Sequence, residues 1–545
     1  MENSIPFDVD LLPVTTLQAG SLTCLYEHGN LRRIRYGDTE LIRMIYSAVR
    51  DQNWTTLPYD ISDEHVETNG RSFRISYTAT YRHQNEPVYR AKFGLEGTPD
   101  DVIVVSMEGE ALAGFERNRI GLCVLHPQQL KGSDVEVTRP DTQVVRTVFS
   151  KLVSPHQVLM DVRAMKYNVG SREVSIAFEG DVFETEDQRN WMDASYKTYS
   201  TPLAVPFPVA VKTGDKVLNK VSIKVAESHV TQPPAGVTNT PQKVAFPAIG
   251  YEKNYLRPLD EDEIRRLKTI PFDHYRVELD LDSGAWESRL AEAAKEAREI
   301  GTKLELIVLL NGEDEVTARR VTESIKMVSD VVSHVLPLRK GTKATPLNLQ
   351  RVFYPMVKET LPVVLVGYGS DAYFTEVNRQ RPQSELFDFI SFPSHPQAHA
   401  NDTRTIIENL GTGPDIIATV RNFTNKPIFV SPLTLGSRKN PAARKAGTSV
   451  ESPADPRQHT WFGLGWTLLC LHSFGGVERI TMYQTTGERG ILKAENSIFM
   501  DMLKSIKEFG PVWITVRSED SEPVLELENV GGDGKRIRLD GAFCL

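Results

Sequence analysis

Apolar side chains in the first 240 residues recur at every second position. In Phe73, Ile75, Tyr77, Ala79 and Tyr81 this alternation is the mark of a strand with one buried face. Segments rich in β-branched and aromatic residues at 22–26, 102–107 and 174–178 are separated by Gly, Asn and Asp turns. A large antiparallel β-sandwich is therefore expected over residues 1–240. The stretch Gln232-Pro-Pro-Ala-Gly-Val-Thr-Asn-Thr-Pro then breaks the alternation and reads as a linker.

Beyond the linker the period changes. Trp286, Leu290, Ala293, Ala297 and Ile300 fall at helical spacing, with Gly301 where a C-cap belongs. Val316, Val321, Ile325 and Val328 repeat the spacing. Short apolar strands at 246–250, 275–281, 304–310, 332–336, 362–366, 387–392, 427–430 and 479–483 alternate with such helices. Eight repeats in about 250 residues match a (β/α)₈ TIM barrel, placed at 241–507. Residues 508–545 return to β and are expected to form a small terminal sheet docked on the first domain.

Alternation also assigns faces in the second barrel strand. Tyr275, Val277, Leu279 and Leu281 should meet the outer helices, leaving Arg276, Glu278 and Asp280 inside. Glu305 should point inward from the third strand and pair with Arg276 near the bottom. Asp280, at the open end, is then the carboxylate better placed for chemistry.

Bulk properties narrow the function classes. A chain of 545 residues has too many for one core. A net charge of −9, with 63 basic and 72 acidic residues, disfavours a nucleic-acid or anionic-membrane partner. Cys24, Cys123, Cys470 and Cys544 show no CxxC spacing and read as idle thiols of a reducing cytosol. The acidic, proline-broken N-terminus is not a secretory signal, and the apolar runs are too short to span a bilayer. A soluble, cytoplasmic protein is expected, with a homo-oligomer allowed.

Polar clusters follow three of the barrel strands, where such folds carry their chemistry. Tyr373-Phe-Thr-Glu-Val-Asn-Arg supplies Glu376 as an acid/base group, with Asn378 and Arg379 to hold hydroxyls or an oxyanion. The competing reading makes Glu376 a helix cap. Ser394 to Asp402 carries His395 and His399, whose spacing is interrupted by Pro396 and lacks an HExxH glutamate, so no metal is expected. The third cluster offers Gln484 at the strand tip and Glu488 four residues on, either a second carboxylate or a surface ion pair with Arg489. Gly367-Tyr-Gly-Ser-Asp-Ala is a weak match to a dinucleotide loop, and no GxSxG elbow occurs. In the first half, residues 184–199 interleave charges with Trp191, Tyr196 and Tyr199, aromatics that packing against the barrel mouth would bury.

Five motifs together resemble the D-apionate lactonases: Asn118-Arg-Ile-Gly-Leu-Cys-Val-Leu-His-Pro, Glu184-Thr-Glu-Asp-Gln-Arg-Asn-Trp, Tyr373-Phe-Thr-Glu-Val-Asn-Arg, Pro396-Gln-Ala-His-Ala-Asn-Asp and Tyr483-Gln-Thr-Thr-Gly-Glu-Arg-Gly. The likeness runs from about residue 20 to 490. It implies hydrolysis of D-apionolactone to D-apionate in bacterial apiose catabolism, on a barrel related to those of glycoside hydrolases. It favours Glu376, Asn378 and His399 as site residues, and Asp187, Arg189 and Asn190 as a loop near the site. Gln484 departs from the glutamate the resemblance leads one to expect, and Leu122 and Glu488 depart as well. On this reading Glu376 activates water against the carbonyl of a small sugar lactone. His399 and Asn378 stabilise the oxyanion, while Arg379, Gln397, Thr434 or Arg438 hold hydroxyls, with no cofactor. Two alternatives stand beside it: a glycoside hydrolase pairing Glu376 with Glu488, and a sugar-acid-binding protein without catalysis.

Overall fold

Strand Phe73–His83 buries every other side chain, Phe73 through Tyr81, as its alternation requires. It lies in one of two nine-stranded antiparallel sheets whose inner faces share a single apolar cluster. The computed structural model describes residues 3–228, 242–438, 453–493 and 497–544. The proline-rich connector falls outside these.

Eight parallel strands close the barrel: β1 (Ala248–Glu252), β2 (His274–Asp280), β3 (Lys303–Leu310), β4 (Val332–Arg339), β5 (Leu365–Gly369), β6 (Phe389–Ser394), β7 (Ile428–Leu433) and β8 (Arg479–Gln484). Helix Trp286–Ile300 buries all five periodic positions and ends on Gly301 at φ 86°, a left-handed cap that favours glycine. Helix Glu315–Lys326 departs from its expected stripe. Val316 is exposed in the first turn, above the Asp314 N-cap, and Ala318 takes the inward place.

The expected β5 at 362–366 begins three residues later. Its two glycines count against a strand by propensity but are required by packing. A Cβ on Gly369 would collide with the Ser391 carbonyl of β6, and one on Gly367 would come within 2.6 Å of the Phe389 ring.

The terminal sheet is corrected in two respects. Its strands Pro511–Glu519, Glu522–Asn529 and Gly534–Leu539 are joined by Val244–Ala245 and, in parallel, by the N-terminal strand Asn3–Ile5. It docks on the barrel rather than on the sandwich: Phe543 and Leu539 pack over Gly465 of helix Trp461–Ser473. That helix is apolar on nearly every side because sheet covers its outer face as well.

Sandwich and barrel meet through buried charge. Arg32, 1% exposed, donates to Glu27 of its own sheet at 2.8 Å and, across the interface, to Asp402 at 2.9 Å and Glu408 at 3.2 Å. Arg189 likewise bridges Asp187 at 2.7 Å and Asp415, on barrel helix Gly413–Arg421, at 2.8 Å. Replacing Arg189 by Met would leave the buried Asp187 carboxylate without its cation and Asp415 with Lys131 alone. A loss of about 3–5 kcal/mol in urea unfolding is expected.

Candidate active site

The barrel interior alternates as expected, yet its charges pair differently. Arg276 reaches up to Glu252 at the end of β1 and to Asp371 after β5, the latter at 2.5 Å. Arg438, after β7, meets the same two carboxylates at 2.9 and 3.1 Å, with Glu278 at 3.7 Å. Glu305 instead accepts from the Ser431 and Thr481 hydroxyls, each at 3.0 Å, beside His274. Strand register puts Arg276 and Glu305 side by side, but stronger charges lie above Arg276. Asp280 is on the rim, paired with Lys340 at 2.5 Å. The barrel axis is thus filled by an ion network, and chemistry has little room there.

The open space lies to one side. A cavity of about 1410 Å³ separates the sandwich from the loops after β4, β5 and β6. From the barrel come Lys343, Tyr373, Glu376, Arg379, Gln397 and His399; from the sandwich come Arg50, Glu186, Asp193 and Lys197. Glu376 and His399 therefore do converge on one cavity, although they are expected from separate loops.

Residues 374–379 form a short helix, Phe374–Arg379, in place of the expected loop. It turns Glu376 towards the cavity, where its carboxylate lies 3.4 Å from Lys343 Nζ. Asn378 points the other way. Its amide donates to the Val153 carbonyl and Asn190 Oδ1, each at 3.0 Å, and its oxygen accepts from Arg381, so it holds the sandwich rather than an oxyanion. Arg379 donates to the Pro155 carbonyl and stacks on Trp191. Gln397 spends its amide on Leu435 O and Asp455, and Thr434 caps the Gly436 carbonyl. His395 faces the axis near Arg438, and burial with the nearby Arg438 and Arg489 charges pushes its pKa down to about 4. Gln484 accepts from Asn254. Glu488 is exposed and paired with Lys493 at 2.5 Å, so the second carboxylate of a glycosidase pair is not supplied by it.

The loop 184–199 packs on the barrel mouth, as its aromatics demand. Asp187 caps the turn Gln188–Trp191 and, with Arg189, is consumed in building it. Asn190 donates to the Ser154 and Asp187 carbonyls. These three residues shape the loop, and the acidic side chain that reaches the cavity is their neighbour Asp193, which local spacing does not single out. Asp193 Oδ2 lies 2.6 Å from His399 Nδ1, while Asn409 holds Oδ1 at 3.2 Å. Trp191 meets the imidazole edge-on at 5.3 Å. On the far side, His399 Nε2 looks towards Glu186 at 3.9 Å, which Lys197 neutralises at 2.5 Å. Burial pushes the Asp193 carboxyl up to about 8 and drives the His399 imidazole well below its usual range, helped by Lys197 and Arg50. Only the density of charge around Trp191 hinted at Asp193, because its partner lies 206 residues away.

A histidine held by a buried acidic side chain, opening on a polar cavity beside a (β/α)₈ barrel, is the arrangement of an enzyme's site. Residues 8–228 match the family "D-apionate lactonase, N-terminal domain" and residues 255–518 match "D-apionate lactonase, TIM barrel domain". The chain belongs to the D-apionate lactonase family. The D-apionate lactonase of Brucella anthropi is 27% identical over 522 residues, covering 88% of this chain and 84% of that one. Solved structures are far more distant. A β-arabinopyranosidase aligns with 95% of this chain and 91% of its own at 11% identity and TM-score 0.32. The α-L-arabinofuranosidase of Thermotoga maritima aligns with 54% and 77% at 12% identity and TM-score 0.37.

Among the described residues, no group of three or more His, Cys, Asp or Glu is placed to hold a metal ion, and no helix is long and apolar enough to cross a membrane.

Proposed function

We propose that the interface cavity hydrolyses a small polyhydroxy lactone, D-apionolactone, to D-apionate. Family membership supports the substrate, and the Asp193–His399 pair carries the mechanism. With Asp193 ionised, Nδ1–H donates to its carboxylate and the Nε2 lone pair faces the cavity. Nε2 takes a proton from water as the water oxygen bonds to the lactone carbonyl carbon. The tetrahedral intermediate then collapses, the ring C–O bond breaks, and Nε2 returns its proton to the departing ring oxygen. The resulting hydroxy acid ionises and releases one proton to solvent.

This exchanges the roles suggested by the sequence. His399 is backed by a carboxylate and acts as the base. Glu376, held by the Lys343 ammonium, serves as an acceptor for substrate hydroxyls. Accordingly Glu376→Gln should raise KM for D-apionolactone about tenfold, with kcat falling less. A fall in kcat of about 10² at unchanged KM in a proton-release assay would return the base role to Glu376.

A further inference from the structure

The sandwich wall of the cavity holds two guanidiniums that make no ion pair with a carboxylate among the described residues. Arg50 and Arg119 are direct cross-strand neighbours on the antiparallel strands Thr39–Asp51 and Phe115–Pro127. Both line the cavity, and they are only 8% and 4% exposed. Their protein partners are carbonyls: Trp54 O for Arg50 at 2.9 Å, and Asn118 O and Pro202 O for Arg119 at 2.5 and 3.0 Å. Arg50 Nη2 and Arg119 Nε have no partner among the described residues. Glu184, whose charge Arg119 feels, is engaged instead by the Tyr199 hydroxyl and the Leu203 amide.

Like charges placed opposite each other on adjacent strands destabilise a sheet, and burial sharpens the penalty. The rings of Trp54 and Phe207, 5.6 and 4.7 Å from the Arg119 guanidinium, offset part of it. They supply no negative charge. A pair of buried guanidiniums in this state is built for an anion, and its planar donors suit a carboxylate.

We propose that Arg50 and Arg119 form an anion subsite that receives the carboxylate released when the lactone ring opens. The identity of that carboxylate rests on the lactonase reading; the existence of the subsite does not. Ring opening converts a neutral substrate into an anion within a cavity whose sandwich wall presents two guanidiniums with unfilled donors among the described residues. Retention of the product, and competitive inhibition by it, follow.

Calorimetric titration of the full-length protein with sodium D-apionate, and separately with inorganic phosphate, tests this. D-apionate should bind the unaltered chain, and either Arg50→Gln or Arg119→Gln should weaken it about tenfold or more. Should the Gln variants fail to fold, Arg50→Lys and Arg119→Lys decide, since each keeps the charge but loses the planar donor fork and should weaken D-apionate several-fold. Equal affinity in every folded variant, or absence of binding of either anion at millimolar concentrations, would overturn the subsite. Binding of phosphate but not D-apionate would overturn its assignment to a carboxylate. Arginine-dependent D-apionate binding by a chain that does not turn over D-apionolactone would keep the subsite and sink the hydrolase reading instead.

Discussion

Replacing His399 by Ala should lower kcat on D-apionolactone by about 10²–10⁴, the range for losing a positioned general base. Its imidazole lines the cavity, contacts Asp193 through Nδ1 and sits edge-on to Trp191. Truncation leaves space on the cavity side and frees Asp193 to take a proton, which its burial already favours. The fold should therefore survive, and KM should move little. Stopped-flow proton release with purified protein separates kcat from KM. A kcat within a few-fold of the unaltered enzyme would remove His399 from the proton path.

The second large effect is in pH. Below about 8 the buried Asp193 carboxyl holds a proton, so its hydroxyl donates to Nδ1 and the ring hydrogen moves to Nε2. In that state Nε2 cannot accept a proton from water. As pH rises through about 8, Asp193 ionises, Nδ1 becomes the donor and Nε2 becomes a base. After subtraction of uncatalysed ring opening, kcat/KM should thus climb about tenfold per pH unit up to about 8 and then level off. Asp193→Asn keeps the shape of the site, but its amide favours the wrong tautomer. A loss of about 10³ is expected, and with it the disappearance of the limb near pH 8. A flat profile in the unaltered enzyme would show that the pair does not titrate in the rate-limiting step.

Much of the architecture is legible in single-strand and single-helix periodicity. The inward and outward faces of β2, and the buried stripe of helix Trp286–Ile300, follow from local spacing alone. What spacing hides is long-range compensation. Gly367 and Gly369 look like strand breakers until β6 is packed against them, and the partner of Asn3–Ile5 lies at the opposite end of the chain. The site divides along the same line. Glu376 and His399 stand in polar runs after barrel strands, where the fold displays its side chains. Asp193, Arg50 and Lys343 come from segments that have nothing in common until the sandwich closes over the barrel. Asn378, Asp187, Arg189 and Asn190 are polar and near the cavity, yet their hydrogen bonds are spent on holding the two domains together or on building the loop. Sequence shows which groups are polar; only the fold shows which remain available.

A double-mutant cycle on kcat/KM measures most directly whether one proton-transfer unit spans the two domains. It compares His399→Ala, Asp193→Asn and the double variant by initial rates on D-apionolactone at saturating pH. If Asp193 acts only through His399, the double variant should be no slower than His399→Ala alone. Losses that multiply, each substitution costing its full factor in the presence of the other, would contradict a shared role and place the two residues in separate steps.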